Sequence, residues 1–250
     1  STRSRARCLC PSVASVVCVF GPFKCNKAWA CLPLASGTLS GVMRCMRCNI
    51  PFPFDLVMFD LDGTLVATAA ELADAVNDTL VDLGHAPVPQ AQVDAWIGHG
   101  ALALLAQALA HRQGSSAEAV RQTPGFGAAA QAFGGHYTLR CGTRSHLYPG
   151  VLETLKVLRH RGVRLAVLTN KEARYTQRVL DAHGLPPFLD LVVAGDTLAV
   201  RKPDPAVVRH CLAVCGVRSD RALLVGDSAT DVATARNAGV AVWAVPYGYN

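Results

Sequence analysis

From residue 54 onward the chain repeats short apolar runs, each bounded by Gly, Asp, Asn or Thr: Leu56 to Phe59, Arg164 to Leu168, Leu189 to Ala194, Ala222 to Val225 and Val240 to Val245. Runs of this length that are almost unbroken Val, Leu and Ala predict strands buried on both faces, as in a parallel sheet. Between them the spacing becomes helical. Val151, Leu155 and Leu158 lead to Gly162, and Val207, Cys211 and Val214 lead to Gly216, which predicts crossover helices that stop at glycine. The expected fold class is α/β, with a Rossmann-like parallel sheet core.

One stretch breaks the alternation. Thr68 to about Tyr137 reads as consecutive helices with no strand between them. Thr68-Ala-Ala-Glu71 has the form of a capping box, and Leu72, Val76, Leu80 and Leu83 then hold one helical face until Gly84. A second helix is expected over Ala101 to His111, whereas Gly125 to Gly135 is too glycine-rich to place. The domain organisation that follows is a core of 51–67 and 140–250 with an inserted α-helical cap subdomain at 68–139.

Composition separates off the first fifty residues, which hold seven of the 24 Lys and Arg and none of the 18 acidic residues. The net charge of +6 therefore resides in that segment, and the rest is close to neutral. This argues against a polyanion-binding face and so against nucleic acid as a partner. Seven of the ten cysteines also lie there, leaving Cys141, Cys211 and Cys215 in the remainder, the usage of a reduced cytoplasmic protein. Cys45-Met46-Arg47-Cys48 has half the spacing of a zinc site, but no matching pair beside a histidine completes it. Arg3, Arg5 and Arg7 before the apolar Val13 to Phe20 have the order of a targeting segment, yet Pro11, Lys24 and Lys27 interrupt it. That run is also shorter than the roughly 18 residues of a membrane span. The blander expectation is a disordered upstream extension or misplaced start, with Met43 or Met46 as initiator.

The chemistry gathers at strand ends. Asp60-Leu-Asp-Gly-Thr64 closes the first run, Thr169-Asn170 the second and Gly226-Asp-Ser228 the fourth, while Lys202 follows the third. Ligands of open parallel sheets bind beyond the carboxyl ends of strands, so these groups would converge on one edge. Two acids, a hydroxyl, an ammonium and a further acid suit phosphoryl transfer, which demands charge neutralisation and alignment. Asp60 can attack phosphorus, and Asp62, two residues on, can protonate the leaving alkoxide and then activate water. The two negative charges of an ester require a hard cation. Mg²⁺ on Asp60, the Asp62 carbonyl and Asp227 meets that need, with Lys202 and Thr169 on the remaining phosphate oxygens.

Taken singly, each element has a plainer explanation: Asp-x-Asp as a turn, Thr169 as a helix N-cap, Lys202 as a solvated charge. Four of them in order at strand ends favour the catalytic reading. Asp231 is open between orienting the metal's water shell, orienting Lys202 and starting the next helix.

Phe59-Asp-Leu-Asp-Gly-Thr-Leu65, Leu168-Thr-Asn-Lys171, Arg201-Lys-Pro-Asp-Pro205 and Val225-Gly-Asp-Ser-Ala-Thr-Asp231 resemble the motifs of the haloacid dehalogenase-like phosphohydrolases over about residues 54 to 250. Tyr148-Pro-Gly150, Thr169-Asn-Lys171, Gly195-Asp-Thr-Leu198 and Tyr247-Gly-Tyr-Asn250 resemble the phosphoglycolate phosphatase family within them. The resemblance implies Asp60 as nucleophile, Asp62 as general acid and base, and Thr169, Asn170 and Lys202 as phosphate ligands. It also implies a Mg²⁺ site on Asp60, Asp62 and Asp227, and a mobile helical cap. His99, between Gly98 and Gly100, falls where relatives place a specificity loop, although a turn residue is the alternative. The implied partner is a small-molecule phosphate ester, with neither nucleic acid nor membrane, for a monomer or homodimer. A β-phosphoglucomutase-like mutase, or a phosphatase of a sugar phosphate, pyrophosphate or nucleotide, is the rival. Ala67-Thr68 replaces the Asp-Ser common after the first motif, which bears on the cap hinge. Relatives usually continue beyond the position of Asn250 through a last helix, a difference that bears on sheet packing.

Overall fold

The computed structural model describes residues 52–97 and 100–249. The basic, cysteine-rich stretch 1–50 with Cys45 and Cys48, and the pair Gly98-His99, lie outside the described residues. The first strand in sequence, β1 (Leu56–Phe59), becomes the central one because all four of its side chains are buried. On one side it pairs with β4 (Arg164–Leu168), which pairs in turn with β5 (Leu191–Val193). On the other it pairs with β6 (Ala222–Gly226), and that with β7 (Ala241–Ala244). All four pairings are parallel. The order β5-β4-β1-β6-β7 reverses direction between β1 and β6, the kind of crevice where open sheets bind ligands.

Strand alternation divides the core in two. Val57, Phe59, Leu165, Val167, Leu223 and Val225 belong to one buried cluster, and Leu56, Met58, Ala166, Leu168 and Leu224 to the other. Each large apolar side chain so buried stabilises the fold by roughly 1.5–3 kcal/mol. The crossover helices are α6 (Val151–His160), α7 (Ala173–Ala182), α8 (Ala206–Cys215) and α9 (Ala229–Ala238). Strand β5 is shorter than the run 189–194 because Pro186–Phe188 forms a 3₁₀ turn and Asp190 bonds Leu165 through both its backbone and its carboxylate.

The insert comprises α1 (Ala69–Asp82), α2 (Gln90–Asp94), α3 (Ala101–Gln113), α4 (Ala117–Arg121) and α5 (Phe126–Arg140). Its two ends run side by side. β2 (Val66–Ala67) pairs antiparallel with β3 (His146–Leu147), so the insert joins the sheet domain through a two-stranded ribbon. The glycine-rich 125–135 stretch is helical after all, because Ala129, Phe133 and Tyr137 bury one face of α5 and α5 packs along α1. Tertiary packing here outweighs the poor helix propensity of Gly127, Gly134 and Gly135.

The capping box expected at Thr68 and Glu71 does not form. Thr68 is the N-cap residue of α1 without a side-chain cap bond, and its hydroxyl donates instead to Asp62 Oδ1 at 2.8 Å. Glu71 is fully buried and accepts from the backbone N–H groups of Gly142 and Ser145, at 2.8–2.9 Å, in the segment leading to β3. Distant backbone donors took the Glu71 carboxylate away from the helix end, and the Thr68 hydroxyl turned back to Asp62.

Candidate active site

Sheet register sets the height of each functional group. Phe59 pairs with Val167 and Val225, so Asp60 leaves the sheet one residue before the level of Thr169 and Asp227. The Asp60 N–H still donates to Val225 O (2.9 Å), and that of Thr169 to Val193 O (3.0 Å), which fixes both residues at the rim. Gly63, at φ 84°, turns the chain directly beneath Asp227. A Cβ at Gly63 would lie 2.5 Å from Asp227 Oδ2, so glycine is needed there for space as well as for conformation.

Asp60, Thr169, Lys202, Asp227 and Asp231 are all buried. Lys202 Nζ lies 2.9 Å from Asp60 Oδ1 and 2.7 Å from Asp231 Oδ1. Its backbone is clasped by the Asn170 amide, which donates to Lys202 O (3.0 Å) and accepts from Lys202 N (2.9 Å). Lys202 is therefore a fixed buried ammonium and not a solvated charge. Asp231 Oδ2 accepts from Ser228 N and Oγ at the start of α9, completing a capping box there. Asp231 thus both caps the helix and holds Lys202. Thr169 does not cap α7, whose N-cap is Glu172; its Oγ1 accepts from Lys171 N at 3.2 Å.

Two buried carboxylates, Asp60 and Asp231, flank the Lys202 ammonium, and a third, Asp227, lies close to them. Burial pushes Asp60 up, to about 7, against the pull of Lys202 beside it. Burial likewise raises Asp227. Lys202 is raised as well, because Asp60 and Asp231 outweigh the cost of burying its charge. Asp60, Asp227 and Asp231 each offer an oxygen within 4.8 Å of the others. An all-oxygen donor set with surplus negative charge suits a hard divalent cation. Asp227 is already aligned, accepting from Thr64 Oγ1 (3.1 Å) and Tyr249 N (2.8 Å).

Asp62 faces the helical insert across the cleft and not the carboxylate cluster. Its carboxylate is bound by Lys171 Nζ at 2.8 and 3.0 Å and by the Thr68 hydroxyl. Lys171 Nζ also bonds Tyr137 OH on α5 and lies 4.7 Å from the centre of that ring. Tyr249 OH accepts from Thr68 N (2.6 Å) and Ala69 N (2.9 Å), pinning the start of α1.

Most of these groups line one cleft of about 310 Å³ between the strand ends and the helical insert, with Thr64, Thr68 and Asp231 behind its lining. Asp60, Asp62, Thr169, Asn170, Lys202 and Asp227 form its floor; Ile97, Leu102, Leu104 and Phe126 of the insert add an apolar wall, with Arg121 beside them. Lys171, Tyr137, Thr64 and Tyr249 carry no prediction of their own in the sequence, and Thr68 carries only that of a helix cap. Lys171 had a signal, as the third residue of the Thr-Asn-Lys segment at a strand end. The two tyrosines and Thr64 act through partners far along the chain, which no local pattern discloses, whereas Thr68 reaches Asp62 close by in sequence. His99 lies outside the described residues.

Residues 57–245 match the family model described as haloacid dehalogenase-like hydrolase. The chain is 45% identical over 195 residues to the phosphoglycolate phosphatase of Rhodospirillum rubrum, covering 78% of this chain and 80% of that one. It is 41% identical over 196 residues to the phosphoglycolate phosphatase of Pseudomonas savastanoi pv. phaseolicola, covering 78% and 70%. Among solved structures it is similar to a predicted phosphoglycolate phosphatase from Haemophilus somnus, with TM-score 0.73, 34% identity, and 80% and 88% of the two chains covered.

Proposed function

Because the chain belongs to the haloacid dehalogenase-like hydrolase family and is a phosphoric monoester hydrolase, we propose that it is a Mg²⁺-dependent phosphatase that converts 2-phosphoglycolate to glycolate and phosphate. The observation that carries this reading is the pairing of Asp60 with Lys202 at 2.9 Å in a cleft that also holds Thr169, Asp62 and Asp227. The identity of the small substrate rests on the phosphoglycolate phosphatases to which the chain is similar.

In the proposed mechanism an Asp60 oxygen attacks phosphorus in line and the bond from phosphorus to the ester oxygen breaks. Protonated Asp62 gives its proton to the departing alkoxide, which leaves as glycolate. Asp62, now a carboxylate, takes a proton from water as that water attacks the aspartyl-phosphate. The acyl-phosphate bond to Asp60 breaks, phosphate departs, and Asp62 is again protonated. Lys202 and Thr169 hold phosphate oxygens. With its amide engaged at Lys202, a direct Asn170 contact with phosphate would use its backbone N–H or the second hydrogen of that amide. Mg²⁺ held by Asp60, the Asp62 carbonyl and Asp227 would offset the charge between nucleophile and ester. Asp231 supports Lys202.

We assign residues 68–139 as a helical cap on a core of 51–67 and 140–250, closing over the cleft to exclude bulk water during phosphoryl transfer. No helix among the described residues is long and apolar enough to cross a membrane. The buried thiols of Cys141, Cys211 and Cys215 are compatible with the proposed cytoplasmic location, as monomer or homodimer. The test is phosphate release with Mg²⁺ from 2-phosphoglycolate, β-glucose-1-phosphate, pyrophosphate and nucleoside monophosphates. The highest kcat/KM is expected on 2-phosphoglycolate. Label from a ³²P sugar phosphate retained in a sugar bisphosphate would replace hydrolysis by mutase chemistry.

A further inference from the structure

Lys171 is left without a task by the mechanism above. Its side chain is only 5% exposed, and its ammonium makes two bonds to one carboxylate, that of Asp62, at 2.8 and 3.0 Å. Holding a cation in so dry a place requires close partners, and the third is the phenol of Tyr137, itself fully buried on α5. The Thr68 hydroxyl completes the set at 2.8 Å from Asp62 Oδ1. Asp62 is thus gripped by residues tied to both ends of the helical insert: Thr68 where α1 begins, and Lys171 through Tyr137 near the end of α5.

We infer that Lys171 is a positioning residue that aims Asp62 at the leaving oxygen and makes this aim depend on the seating of the helical insert through Tyr137. The inference rests on the phosphatase reading of the site, with Asp62 as acid and base. Lys171 exchanges no proton and forms no bond to phosphorus in it. A carboxylate free to rotate would still be an acid, but one out of line with the alkoxide, and misplacement by about 1 Å costs on the order of 100-fold.

Single-turnover release of the alcohol isolates the step in which Asp62 donates. For Lys171→Met we expect release of glycolate from 2-phosphoglycolate, or of the alcohol from whichever alkyl phosphate the wild type cleaves, to slow about 100-fold with KM little changed. Release of p-nitrophenolate from its phosphate ester, which needs no proton, should slow less than about 3-fold. Tyr137→Phe, which keeps the ring and the Lys171–Asp62 pair, should show the same substrate bias more weakly, and Lys171→Arg should recover part of the alkyl rate. Equal slowing on both esters would overturn the inference in favour of a merely structural role. A raised KM at unchanged kcat would overturn it in favour of a substrate-carboxylate contact. A wild type that releases neither alcohol would instead sink the phosphatase reading and the positioning role with it.

Discussion

Asp60 has a neighbour for each of its tasks. Lys202 offsets its charge, Leu61 N donates to the same Oδ1 at 2.7 Å, and burial removes competing water. Replacing Asp60 by Asn keeps this shape and deletes the attacking oxygen, so phosphate release should fall at least about 10³-fold. The circular-dichroism spectrum should stay that of the wild type; a variant with near-native turnover would refute nucleophilic catalysis by Asp60. At this scale the sequence disclosed the groups whose position follows from a strand end: Asp60, Thr169 and Asp227 sit where the apolar runs stop. It did not disclose the orientation of Asp62, because that depends on Lys171, 109 residues away, and on a tyrosine from a different part of the fold.

At the scale of elements, the strands were legible because burial on both faces leaves nearly unbroken apolar runs with polar ends. Helix α5 was not, since its stability comes from α1 packing against it and not from its own residues. The joint between insert and core is fixed by side chains with no local signature. Glu71 holds Gly142 and Ser145, and Ser145 Oγ also bonds His183 Nε2 at 2.8 Å. Glu71→Ala would leave two backbone donors in this partly buried segment without their acceptor, a loss of about 2–5 kcal/mol in urea unfolding; a loss below about 0.5 kcal/mol would show that water replaces the carboxylate. Burial lowers the pKa of His183 below its ordinary 6.5. The unfolded chain therefore takes up that proton more readily than the folded one. The contribution of His183 is intact above about pH 6.5 and is lost as pH falls through its lower folded value. Denaturant midpoints measured from pH 7.5 to 5 should decline less steeply in His183→Gln than in the wild type.

Across the whole molecule, the sheet reverses its winding between β1 and β6, and Asp60 and Asp227 leave the sheet on either side of that reversal. The fold therefore concentrates carboxylates where it has least room to solvate them. A bound divalent cation should relieve that crowding and favour the folded state by mass action. Mg²⁺ at about 100 times its Kd should raise Tm by about 5–10 °C, and Asp227→Asn should abolish the increment. Excess chelator should remove phosphatase activity, and added Mg²⁺ should restore it. Full activity in chelator would exclude the proposed metal.

The segment after β7 folds back over the cleft. Tyr247 OH donates to Thr64 O (3.0 Å), Tyr249 joins Asp227 to the first residues of α1, and a Cβ at Gly248 would lie 2.2 Å from that of Asp227. A protease that clips the chain just after Val245 would spare every strand and helix described above. Such a trimmed protein should melt cooperatively yet bind cation poorly and turn over slowly, so routine quality checks of folding would pass a preparation already crippled by the loss of Tyr247 and Tyr249.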